Sequence, residues 1–235
     1  MNDANLHVIA CATVIEEMSP FLPSGVGRRT LDFGLHTDPD RLRATLQATI
    51  AEVAASAPAG SEEPITIILG YGLCSQGVVG LRAEGCRLVI PRVDDCIALF
   101  LGSRAAYRRE AAGEPGTYYL TKGWIEVGST PFAEFDRAVA RFGAERAERL
   151  YREMLGHYTR LALIDTGSYA LDEAREYARR AAMRFGLRFE ELVGSTELVA
   201  KLLSGPWEPE DFVVCEPGGV IRFEDFYGGR VADAR

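Results

Sequence analysis

Residues 65–77 read Ile-Thr-Ile-Ile-Leu-Gly-Tyr-Gly-Leu-Cys-Ser-Gln-Gly. The first five, Ile65–Leu69, are β-branched or apolar with no regular polar alternation. That pattern describes a strand covered on both faces. Gly70, Gly72 and Gly77 then break the run, so the segment predicts a strand, a glycine-rich turn and the start of a short helix. Two further runs flank it. Leu6–Cys11 lies upstream, and Arg87–Val93 lies downstream, followed by Asp94-Asp95-Cys96 and an apolar, helix-like Ile97–Leu101. Pro91 argues against a central place for the third run, because proline cannot donate to a strand ladder.

Between the first two runs comes a loop with Pro20, Pro23, Gly25 and Gly27, then a helix with clear signals at both ends. Asp38 reads as its N-cap and Pro39 as its first helical position. Leu42, Leu46, Ile50 and Val53 recur at helical spacing, and Ala57-Pro58-Ala59-Gly60 stops the helix. Beyond a polar segment at 104–116, Thr117–Leu120 predicts a strand. Gly128-Ser129-Thr130-Pro131 predicts a turn and helix start, placing a boundary between halves 1–128 and 129–235 on one crevice, unless the chain is one continuous domain. Helices then run to about His157 around Gly143. A strand at Leu161–Ile164, a helix over 170–185, a strand at Leu187–Leu192, a Ser195-capped helix over 197–203 and a last strand at Phe212–Cys215 complete the pattern. Strands alternating with helices predict an α/β fold, Rossmann-like, with a largely parallel sheet or sheets flanked by helices.

Composition limits the function. Lys and Arg total 26 against 34 Asp and Glu, a net charge of −8. Such a chain repels polyanions, so no nucleic-acid partner is expected. No apolar run approaches the ~20 residues of a membrane-spanning helix. The opening stretch has acids on both sides of its apolar run and resembles neither a signal nor a transit peptide, so the expected location is cytoplasmic. Five cysteines, odd in number and without a Cys-x-x-Cys pair, point to free, metal-bound or catalytic thiols rather than a disulfide framework.

Three of those cysteines share an address. Cys11, Cys74 and Cys96 each fall at or just past the carboxyl end of an expected strand. Neighbouring parallel strands put those ends on one edge, where α/β sheets bind ligands. Cys86 precedes its strand and is expected at the opposite edge, and Cys215 is set aside. A thiolate trio suits zinc, with one position left open, or a three-cysteine [4Fe-4S] cluster; Asp94 or Asp95 could add a ligand or orient a water. Against this stands the plain alternative that all three are small packing residues. Asp95 and Asp165 are the candidate catalytic carboxylates. Gly70, Gly72 and Ser75 of the glycine-rich loop could cradle an anion through backbone N–H groups, but the loop lacks a P-loop ending. Lys122-Gly123-Trp124 follows a strand and offers a cation beside a flat aromatic that could line a ligand pocket; a surface turn with a half-buried Trp is the equal alternative. Asp165-Thr166-Gly167 reads equally well as a capping turn.

Several stretches together resemble one family. They are VIACATVIEEM (8–18), ILGYGLCSQGVVGL (68–81), LVIPRVDDCIALFLGS (88–103), GTYYLTKGW (116–124), LALIDTG (161–167) and FVVCEPGG (212–219). They are similar to the family called domain of unknown function 1638, and GYGLC and DCIALFLGS are the most specific parts. The resemblance covers nearly the whole chain and puts Cys11, Cys74 and Cys96 on motif positions. It implies His where this chain has Asp94, so a nitrogen ligand would be lost here. It also implies a neighbourhood of corrinoid-dependent methyltransferase systems. The leading expectation is a zinc-dependent enzyme of one-carbon or thiol metabolism, taking a small-molecule substrate and linked to a corrinoid protein or methyltransferase partner. An iron–sulfur enzyme, a metal or corrinoid carrier, and a scaffold with free thiols are the alternatives.

Overall fold

A computed structural model describes residues 5–56, 63–128 and 130–227. The expected helix stop at Ala57–Gly60, and Ser129 of the expected boundary, lie outside the described residues.

The apolar runs form strands as expected: β1 (Leu6–Cys11), β3 (Ile65–Gly70) and β4 (Cys86–Pro91). All six residues of β3 are buried, as a strand covered on both faces requires. These three join β2 (Gly27–Leu31) and β8 (Phe212–Cys215) in a five-stranded sheet of order β2-β1-β3-β4-β8. The first four strands are parallel and β8 is antiparallel to β4. β5 (Thr117–Leu120), β6 (Arg160–Asp165) and β7 (Arg188–Val193) form a second, parallel sheet. The sheets do not divide at residue 128, since β5 belongs to the second sheet and β8 returns to the first.

The helices are α1 (Ala12–Met18), α2 (Pro39–Ala55), α3 (Cys96–Phe100), α4 (Arg104–Gly113), α5 (Lys122–Val127), α6 (Pro131–Phe142), α7 (Ala144–Leu155), α8 (Asp172–Phe185), α9 (Glu197–Ser204) and α10 (Glu224–Tyr227). Asp38 caps α2, accepting from the Arg41 N–H at 3.1 Å, and Leu42, Leu46, Ile50 and Val53 form its buried face. Pro91 sits in an interior strand after all. It is the last residue of β4, opposite Phe212, where few ladder bonds remain to lose. The segment read only as polar is the helix α4, capped by Ser103. The short helix expected near Gly77 is reduced to a single 3-10 turn at Cys74–Gln76.

Alternation along β6 joins the halves. Leu161 and Leu163 enter a core with the α6–α8 helices, while Ala162 and Ile164 enter the core of the first sheet. A polar contact adds to this. Glu17 on α1, 1% exposed, accepts from the Thr166 hydroxyl at 2.6 Å and from the Tyr169 hydroxyl, both in the loop after β6. Burial pushes its carboxyl above the ordinary range against those hydrogen bonds, and neighbouring Glu16, itself paired with Lys122, pushes the same way. A carboxyl raised in the folded state favours folding while protonated, and that contribution is lost as pH rises through its folded value. Glu17→Gln should therefore flatten the fall in melting temperature from about pH 5 upward. Equal pH slopes for wild type and variant would refute this role.

A thiol-lined cavity at the strand ends

The carboxyl ends of β1, β3 and β4 lie side by side, and each feeds one cysteine to the same place. Cys11 is the last residue of β1, Cys74 lies four residues beyond Gly70, and Cys96 opens α3 after β4. All three line one cavity of about 530 Å³, a volume suited to a small organic ligand.

Two loops are stitched together to hold Cys74 near Cys96. The Leu73 N–H donates to the Val93 carbonyl at 2.9 Å and the Cys74 N–H to the Asp94 carbonyl at 3.0 Å. Such an approach leaves no room for a side chain at Gly72. A Cβ there would lie 2.8 Å from the Val93 oxygen and 2.9 Å from the Asp95 nitrogen. Gly70 answers a different need, since its Cβ would lie 2.6 Å from that of Ala10 and 2.9 Å from Val14 Cγ1. Three consecutive non-glycine residues then adopt the left-handed region, with φ of 44° at Cys74, 55° at Ser75 and 70° at Gln76. Each such residue costs roughly 1–2 kcal/mol, so the surrounding contacts must hold the turn in place. Asp95 caps α3, accepting from the Ile97 N–H at 2.9 Å.

Burial is the main obstacle to ionising each of the three thiols. Burial pushes Cys74 up to about 12, and the charges of Cys11 and Asp95 add to it. Cys96 is raised well above its ordinary value by burial, then by Cys11, Asp95 and Cys74. Cys11 is raised by burial, partly offset by Thr13, whose hydroxyl lies 3.1 Å from its sulfur. Burial also raises Tyr71, and after it the charges of the same three cysteines, which places the phenol among them. Its hydroxyl has no hydrogen-bond partner among the described residues, and neither has the indole Nε1 of Trp124, which also lines the cavity. The Tyr119 hydroxyl makes no hydrogen bond either, although the Arg160 guanidinium lies beside it.

The remaining candidates divide. Gly70, Ser75 and Asp95 line the cavity with the thiols, and Gly72 shapes its loop. Lys122 is outside the lining; its ammonium pairs with Glu16 and with Glu126 at 2.8 Å and lies 4.9 Å from the Tyr169 ring centroid. Asp165 is also outside, closing a turn by accepting from the Gly167 N–H at 2.8 Å. Asp94 lines the cavity and is held by Arg104 at 3.3 Å. Cys86 and Cys215 both lie at the opposite edge, where the reversed direction of β8 carries Cys215 opposite Leu88. Sequence reading missed Tyr71, although it stands inside the glycine-rich loop. It also missed Phe33 and Tyr118, whose segments carry no strand-end signal.

Among the described residues, no three His, Cys, Asp or Glu side chains are already gathered into a metal-holding group. No helix among the described residues is long and apolar enough to cross a membrane. No match to the chain was found among curated proteins or among solved structures. One family model matches residues 30–203, described as a protein of unknown function (DUF1638). The matched stretch takes in Cys74 and Cys96 and begins after Cys11. Because it covers well over half of the chain, the protein belongs to the DUF1638 family.

Proposed function

We propose that this cavity is the working site of a metal-dependent enzyme of one-carbon or thiol chemistry. Cys11, Cys74 and Cys96 would hold the metal, with zinc as the ion. One observation carries the reading: thiols from three neighbouring strand ends open on one cavity, beside a buried tyrosine hydroxyl that has no partner among the described residues.

The donor set fits a thiophilic cation. Soft sulfur ligands suit zinc or iron–sulfur centres, and among the described residues no Lys or Arg lines the cavity. The ionisation that burial and mutual repulsion oppose is what a divalent ion restores. Because the side chains are not already gathered, binding would draw the thiols inward. When bound, zinc would lower the pKa of a thiol or water at its open position. The chain's own groups have separate tasks. Tyr71 would donate to a ligand atom beside the thiols, Asp95 fixes the start of α3 and so the place of Cys96, and Phe33 and Trp124 keep water from part of the wall. The resemblance's link to corrinoid systems supports a methylated corrinoid protein as the methyl source for a substrate thiol.

The test is elemental analysis of untagged protein purified without oxygen, with its absorbance spectrum. Roughly one zinc per chain and no visible band is the expected result. A brown protein with a broad visible band would replace zinc by a three-cysteine iron–sulfur cluster. Bound metal that is handed to a partner without turnover would make the protein a carrier. Neither metal nor cluster, even after incubation with zinc, would overturn the reading.

A further inference from the structure

The aromatic and acidic side chains beside the thiols also limit what else the cavity can hold. Trp124 Nε1 is a buried donor and can do nothing but donate. The Tyr71 hydroxyl is a second unmatched polar atom, on a side chain only 4% exposed. Leaving a buried donor unpaired costs about 1–3 kcal/mol, and with the Tyr119 hydroxyl three such atoms belong to side chains that line the cavity, so a small turn of these rings toward it would let a ligand supply the missing acceptors. The walls present flat apolar surface. Phe33 and Trp124 meet edge-on with centroids 5.9 Å apart, and Tyr118 and Tyr158 do so at 5.2 Å. Charge narrows the choice. Asp32, Asp94 and Asp95 border the cavity, and among the described residues no Lys or Arg does. Arg104 is the cation bound to Asp94, and it is also committed to the Phe226 carbonyl at 2.8 Å. A phosphate or carboxylate would enter against these acids with no lining Lys or Arg to pair it among the described residues, and with the single lining imidazole, His36, already bonded to the Phe33 carbonyl.

We infer that the cavity binds a flat, uncharged heterocycle whose ring nitrogens or carbonyl oxygens accept from Tyr71 and Trp124. Aromatic stacking would supply the affinity, the two donors the orientation, and the carboxylates the exclusion of anionic analogues. This rests on the cavity being the working site, and it does not depend on the metal.

The test uses chelator-treated full-length protein carrying Trp207→Phe, so that Trp124 is the remaining indole. Trp207 is held elsewhere, donating to the Leu202 carbonyl at 2.9 Å. Its fluorescence is titrated with nicotinamide, uracil and adenine, and with nicotinate and orotate as carboxylate counterparts of the first two. At least one neutral ring should quench saturably below about 1 mM. Where it has a carboxylate counterpart, that acid should bind at least about tenfold more weakly. Tyr71→Phe, with its fold checked by thermal melting, should weaken the neutral ring about tenfold as well. The inference is overturned if no neutral ring binds, if the acids bind as well, or if Tyr71→Phe changes nothing. Zinc content of the same preparations before chelation is read separately. Ring binding without zinc would leave this inference standing and remove the metal, and the converse would do the opposite.

Discussion

Cys74→Ser and Cys96→Ser should each lose zinc affinity by about 100- to 1000-fold. Structural zinc sites gain about 10–16 kcal/mol from four ligands, so one thiolate contributes roughly 3–4 kcal/mol, and each 1.4 kcal/mol is tenfold. Serine keeps the shape of cysteine at both positions. At Cys74 it also faces the same left-handed backbone that Ser75 already adopts next door. Folding is therefore expected to survive, and a thermal melt in the absence of metal should differ little from wild type. Cys86→Ser is the internal control, because Cys86 lies at the other edge of the sheet beside Cys215. The decisive readout is competition with a coloured zinc chelator. Equal affinity for wild type, Cys74→Ser and Cys96→Ser would eliminate the metal. Equal loss in Cys86→Ser would show that the effect is one of stability instead.

Arg160→Ala should give the largest loss of stability among substitutions away from the cavity. Arg160 is 2% exposed and opens β6. It donates to Thr117 Oγ1 at 2.7 Å, to Glu110 at 2.9 Å and to Glu190 at 3.1 Å. One guanidinium thus joins α4, β5 and β7, using the geometry of five N–H donors that lysine lacks. Removing one partner from a buried ionic cluster typically costs 3–5 kcal/mol, because the remaining charges lose compensation. Glu110 and Glu190 are each about one-third exposed and recover some hydration, which puts the expected loss near the lower limit, about 3 kcal/mol. For a chain of this size that corresponds to a fall of about 6–12 °C in Tm. Arg160→Lys should recover only part of it, since a single ammonium cannot reach all three acceptors. A melt for Arg160→Ala within about 2 °C of wild type would contradict this account.

How much was legible depended on burial. β1 and β3 announce themselves because both faces are covered, which demands an unbroken apolar run. α2 is equally plain, with Asp38 and Pro39 at its start and a periodic apolar face. β2 was missed for the opposite reason. Its sequence, Gly-Arg-Arg-Thr-Leu, belongs to an outer strand with three exposed residues, and nothing apolar marks it. α4 hides in the same way, being polar with no buried residue. The direction of β8 is not encoded in its four residues at all; pairing with β4 decides it. At the site, the thiol trio followed from strand ends and parallel order alone. Trp124 was legible as an aromatic just after a strand, whereas Tyr71 and Phe33 reach the cavity from a turn and from the segment after β2, where no periodic pattern fixes direction.

The late return of β8 bears on how the protein is made. The edge of β4 that β8 covers is complete as a strand once Pro91 has been synthesised, yet its partner does not exist until Phe212 has followed. Throughout that interval the nascent chain presents an uncovered apolar strand edge, the kind of surface on which growing polypeptides stick to one another. Ribosome-bound fragments ending before Phe212 should accordingly recruit holding chaperones, and adding the last strand should release them.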